Sequence, residues 1–146
     1  MANVLLYTSA AGKMLNKEVD WNSDTIKCSL HSTTYVPAQN SDAYYSAVTN
    51  EITGTGYTAG GTPLTACTLT VTGGASHTIK LDADDAAWAS ITAASAAIKW
   101  AVIYDSTPGS AATNPLIGYL DVGSVTPNGA FSIIWDAAGI FATTTP

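Results

Sequence analysis

Apolar and polar residues alternate with a period of two along most of this chain, in short runs broken by Gly, Pro, Asn and Asp. Thr25 to Leu30 is the clearest run. Ile26, Cys28 and Leu30 fall on one face and Lys27, Ser29 and His31 on the other, which predicts a half-buried strand. Leu64 to Thr72 repeats the pattern, with Cys67, Leu69 and Val71 on one face. Gly73-Gly74 then turns the chain and His77 to Leu81 returns, predicting a hairpin. Ala97 to Tyr104 is an apolar run broken only by Lys99 and predicts a central strand covered on both faces. Asn3 to Thr8, Leu116 to Val122, Phe131 to Trp135 and Ile140 to Thr143 bring the count to about eight strands, at the turn spacing of a sandwich or barrel.

Helical spacing is confined to two short segments. Ser9 to Glu18 carries Met14 and Leu15, weakened by Gly12; Ser41 to Val48 places Tyr44 and Val48 on one side, with Ser41 or Asp42 as N-cap. The expected fold is mainly β: a single sandwich or barrel-like domain over residues 1–146 with one or two short helices. The Thr53 to Gly61 stretch is a Gly-rich loop. No composition break marks a second domain.

Composition sharpens this picture. Of 146 residues, 47% are hydrophobic and only 11% charged, against roughly 25% charged in ordinary soluble domains. A surface so poor in charge suits burial against copies or partners. The net charge is −6, there is no arginine, and Lys13, Lys17, Lys27, Lys80 and Lys99 are scattered. Nucleic-acid binding needs clustered cations to neutralise phosphates, and docking on an anionic membrane needs the same, so neither partner is expected. The opening Ala2 to Thr8 lacks the cationic start of a signal peptide, and no run is long enough to span a bilayer. Folding in a cytoplasm is therefore expected, with Cys28 and Cys67 as inward-facing free thiols.

Chemistry-bearing patterns are weak. Asp82, Asp84 and Asp85 are closely spaced oxygen ligands of the kind Ca²⁺ takes, but the turn glycine and terminal Glu of an EF-hand are missing. A solvated turn, with Asp84 or Asp85 capping a helical turn that holds Trp88, is the expected arrangement. Gly54 to Gly61 lacks the Lys-Ser/Thr of a phosphate-binding loop. It is expected to be flexible or to contact partners, with Tyr57 as its anchor and Thr55 and Thr58 beside it. Tyr44 and Tyr45 are further partner-contact candidates. Cys28 and His31 alternate to opposite faces, which argues against a zinc site and leaves both histidines on the surface. No nucleophile elbow and no paired catalytic carboxylates stand out. The tryptophans, Trp100 and Trp135 among them, are expected in the core rather than on a sugar-binding platform. Accordingly no catalytic residue, metal or cofactor is expected.

An ordered set of stretches carries a resemblance. They are Asn3-Val4-Leu5-Leu6-Tyr7-Thr8, Asp20 to Lys27, Gly54 to Gly61, Leu81-Asp82-Ala83-Asp84-Asp85, Ala101-Val102-Ile103-Tyr104-Asp105, Pro115 to Tyr119 and Trp135 to Phe141. Together they resemble small structural proteins of tailed bacteriophages and prophages, over nearly the whole chain. The resemblance implies a non-catalytic virion component, assembled in the host cytoplasm, and does not separate head from tail. The preferred expectation is a capsid decoration or cement protein on the outer head surface, present in many copies or as a homo-oligomer. Its partners would be other virion proteins, the major capsid protein first. The acidic, arginine-free surface suits the outside of a DNA-filled shell. The alternatives are a tail, baseplate or fibre component with host-binding potential and, less favoured, a cell-wall-active enzyme.

Overall fold

The structure is a computed structural model that describes residues 4–74 and 77–145. Strand accounts for 44% and helix for 8% of these residues, so the mainly β reading holds. The elements are β1 (Leu5–Leu6), α1 (Thr8–Leu15), β2 (Ile26–Ser32), β3 (Thr62–Pro63), β4 (Thr68–Thr72), β5 (His77–Asp82), β6 (Ala86–Ile91), β7 (Ile98–Asp105), β8 (Leu116–Val125), β9 (Gly129–Ile133) and β10 (Phe141–Thr145). They form three antiparallel sheets, ordered β1-β8-β7-β2-β3, β10-β5-β4 and β6-β9.

The five-stranded sheet is the centre. One of its faces carries Ile26, Cys28, Leu30, Ala101, Ile103, Ile117 and Leu120. It packs with Trp21, Trp88, Ile91, Ile133 and Trp135 into the main core. The opposite face carries Val102, Tyr104, Leu116 and Tyr119, joined by Tyr7 and Tyr35 in a second, aromatic cluster. Tyr45 and Val48 pack against it from the irregular chain after β2. That covering segment explains one departure from expectation. The Ser29/His31 face of β2 is not a solvated polar face, because the chain folds back over it and buries both residues.

Other departures have local causes. The strand expected over Asn3 to Thr8 shortens to Leu5–Leu6 because Thr8 already opens α1; Asn3 lies outside the described residues. The expected helix over Ser41 to Val48 contracts to one 3₁₀ turn, Tyr45–Ala47. Two of its backbone donors go elsewhere. Tyr45 N–H donates to Asn114 O at 2.9 Å and Ser46 N–H to Ala111 O at 2.8 Å, so the segment is tied to the 108–115 loop and keeps only the i→i+3 bonds of Ala47 and Val48 for itself. Cys67 falls before β4, after a turn in which Ala66 takes φ +52°. Trp88 lies on β6 rather than on a helical turn.

Candidate functional site

The three-stranded sheet and α1 form the most exposed apolar surface. Register places Leu69, Leu81 and Phe141 in one row across β4, β5 and β10, and Val71, Ile79 and Thr143 in the next. Paired residues share a face, so these rows make one apolar face, with threonines, Lys80 and Asp82 behind it. Leu81 is rooted in the core, but Leu69, Val71 and Ile79 run out of it into solvent. Between this face and α1 lies an apolar groove of about 410 Å³, walled by Leu6, Ala11, Met14, Leu15 and the sheet residues. No charged side chain lines it.

Helix α1 is oriented unusually for its sequence. Leu15 is 85% exposed while Lys13 is 7% exposed. The Lys13 ammonium has no hydrogen-bond partner and sits 3.1 Å from the centre of the Tyr44 ring. A buried ammonium over an aromatic face is held by the negative potential of the ring. Lys17, with φ +60°, ends the helix.

The Gly-rich loop is neither free nor flexible in its contacts. A Cβ on Gly61 would fall 1.9 Å from Cys28 O, and one on Gly56 would fall 1.8 Å from Ser90 O. Both glycines have positive φ, so the loop is a strap lying directly on the backbones of β2 and β6. Tyr57 at its middle points inward. Its hydroxyl donates to Glu51 Oε1 at 2.6 Å and accepts from Leu30 N–H at 3.0 Å, and its ring lies 6.3 Å from that of Trp88. Burial and the neighbouring Glu51 carboxylate push the phenol well above its usual range. The expectation of Tyr57 as a partner-facing anchor is thus corrected: the loop is pulled onto the sheet edge, and the ring goes with it.

The remaining candidates divide. Thr55 and Thr58 are exposed, and Tyr44 is exposed at its rim while covering Lys13. Tyr45 is turned in, stacked 3.9 Å from Tyr104, with a buried hydroxyl that lacks a partner. The five therefore do not gather into one contact patch. The apolar face was missed because Leu69 and Val71 carry the alternation of core residues; no signal in the sequence marks them as outward.

The acidic stretch is dispersed by its own contacts. Asp82 pairs with Lys80 at 2.7 Å, Asp84 accepts from Thr65 Oγ1 at 2.9 Å, and Asp85 accepts from the Trp135 N–H at 2.9 Å. Among the described residues no group of three or more His, Cys, Asp or Glu is placed to hold a metal ion. Both cysteines are free; Cys28 is buried, which raises its thiol to about 12, and Cys67 is partly covered. Among the described residues no helix is long and apolar enough to cross a membrane.

The expectation of surface histidines fails at His31, which is 1% exposed. Its Nδ1 lies 2.9 Å from Thr49 O and its Nε2 lies 2.9 Å from Ser29 Oγ. A carbonyl only accepts, so Nδ1 carries a proton and donates it to Thr49 O; in the neutral ring Nε2 then accepts a hydrogen bond from the Ser29 hydroxyl. Burial lowers its pKa, against smaller opposing effects of the Thr49 carbonyl and Glu51.

Compared with protein-family models, with curated proteins and with solved structures, the chain matches none of them.

Proposed function

We propose that this chain is a non-catalytic structural component of a tailed-phage virion. In this reading it is a multi-copy decoration or cement protein bound to the outer head surface. The observation that carries the docking part is the charge-free apolar face formed by Leu69, Val71, Ile79 and Leu15. Exposed contiguous apolar surface of this kind is what a protein-binding site needs and a solitary domain avoids. The face is small, and many copies on a repeating lattice gain by avidity what one contact lacks. The phage setting rests on the sequence resemblance.

The test is the composition of purified particles made with wild-type protein and with a Leu15→Lys/Val71→Lys variant. Both substitutions are at solvent-exposed positions, so the melt of the free variant should stay within about 0.5 kcal/mol of wild type. Wild type in the head fraction and variant absent from it is the expected result. Recovery only with tails would replace the head assignment by the tail alternative. Absence of the wild type from particles, or full incorporation of the variant, would end the reading or remove this face from it.

A further inference from the structure

Strand β4 ends its sheet without the devices that close other edges. The central sheet stops at β1 and β3, which are two residues each, and β3 contains Pro63. Short edges and edge prolines keep other chains from pairing there. β4 is five residues long, all of them exposed, with an unbroken register to β5 and no proline. From Ile52 to Ile79 the sequence has no Asp, Glu, Lys or Arg.

The backbone of this edge has a direction. Leu69 N–H donates to Asn22 Oδ1 at 2.7 Å, so Leu69 turns its peptide groups away from β5. Antiparallel ladders alternate inward and outward residues, so Thr70 bonds to β5 and Val71 faces out. Among the described strands none pairs with this side of β4. Asn22 shows what the edge accepts: its side-chain oxygen stands where the carbonyl of a neighbouring strand would. It holds the Leu69 end only, and Val71 beyond it is 61% exposed.

We propose that β4 pairs with β4 of a second copy, antiparallel and centred on Val71. The free groups are main-chain ones, so an extended strand fits them. Charge decides which strand. The chain carries −6, and copies repel wherever their carboxylates meet, but β4 against β4 sets no charge opposite another. Pairing on Val71 places Val71 beside Val71 and Leu69 beside Gly73 of the second copy. The apolar rows of one sheet therefore run on into the other. Thr70 lies opposite Thr72 on the polar face. A contact through the same strand in both copies closes at two subunits. The inference does not rest on the virion reading; if both hold, two small docking faces become one wide face.

Sedimentation of the full chain from about 1 μM to about 1 mM tests this. The wild type should pass from monomer to dimer, with the Val71 amide resonance shifting as the dimer forms. Val71→Pro removes the outward donor at the centre of the pair and should stay monomeric. Thr70→Glu/Thr72→Glu sets like charges opposite in both halves of the pair and should weaken it by about tenfold. Thr70→Glu/Thr72→Lys sets opposite charges there and should hold the dimer at least as tightly as the wild type. Leu15→Lys charges the docking face, leaves the edge intact and should keep the dimer, so the two readings fail separately. A wild type that stays monomeric, a dimeric Val71→Pro, or equal effects of the two charge pairs overturns the β4 pairing. So does loss of the dimer in Leu15→Lys, or growth beyond the dimer, the mark of head-to-tail contact with β10. Should Val71→Pro not fold, the two charge variants decide.

Discussion

Strands β2 and β4 carry the same alternation and end in opposite surroundings. Ile26, Cys28 and Leu30 on β2 are wholly buried, and so are Ser29 and His31 on its other face. On β4, all five residues are exposed, Val71 by 61%. The difference lies in what covers them. β2 is paired with β7 over its whole length, with Trp21 and the β6-β9 pair on one side and the 33–50 segment on the other. β4 is the edge of a three-stranded sheet whose apolar face looks onto one short helix that turns its lysine inward and its leucine outward. A period of two reports that a strand has two unlike faces; it does not report which face is covered.

The largest effect should come from truncating the buried member of this comparison. Leu30→Ala should cost about 3–4 kcal/mol in denaturant unfolding, as a cavity in a close-packed centre does, and Val71→Ala less than about 0.5. Equal costs would erase the contrast between the sheets. Next, Gly61→Ala should cost more than about 2 kcal/mol. It combines a left-handed backbone with a collision against Cys28 O. Gly12→Ala on α1, with nothing within 4 Å of the added atom, should instead gain up to about 1 kcal/mol.

Tyr44→Ala should lower stability by about 1–2 kcal/mol through loss of the cover on the Lys13 ammonium, with Tyr44→Phe close to neutral. A null result for Tyr44→Ala would mean that Lys13 is held by something else. The smallest effect concerns Asp105 at the end of β7. Burial raises its pKa, the Thr107 contacts working against it and nearby Asp24 adding to the rise. A raised carboxyl contributes stability below the ordinary aspartate range and loses it as pH climbs through the folded value. Asp105→Asn should therefore melt higher than wild type at pH 7, with the difference closing near pH 3 in a pH series of melts. A gap that widens toward acid would reverse the sign assigned here.

Much of the β architecture is legible in the residue pattern. The strands β2, β5, β7 and β8, the β4-β5 hairpin partners and the first helix all lie close to where periodicity and Gly punctuation put them. The failures share a cause. Ser41 to Val48 has helical spacing, but Asn114 and Ala111 offer its N–H groups better-placed acceptors. Tyr57 sits in a Gly-rich loop that local chemistry leaves free, yet Glu51 and the Leu30 N–H capture its hydroxyl. His31 and Lys13 are polar residues at positions that only a folded-back segment and an overlying ring bury.

The sequence by itself determined what depends on near neighbours: strand period, turns, free thiols and a surface short of charge. Tertiary structure alone decided which apolar rows were covered, which polar groups were sealed in, and that the glycine loop became a strap. Those outcomes depend on residues far apart in the chain, such as Leu30 with Tyr57, Lys13 with Tyr44, and Gly61 with Cys28. Alternation along a strand carries no information about what the rest of the chain will lay over it.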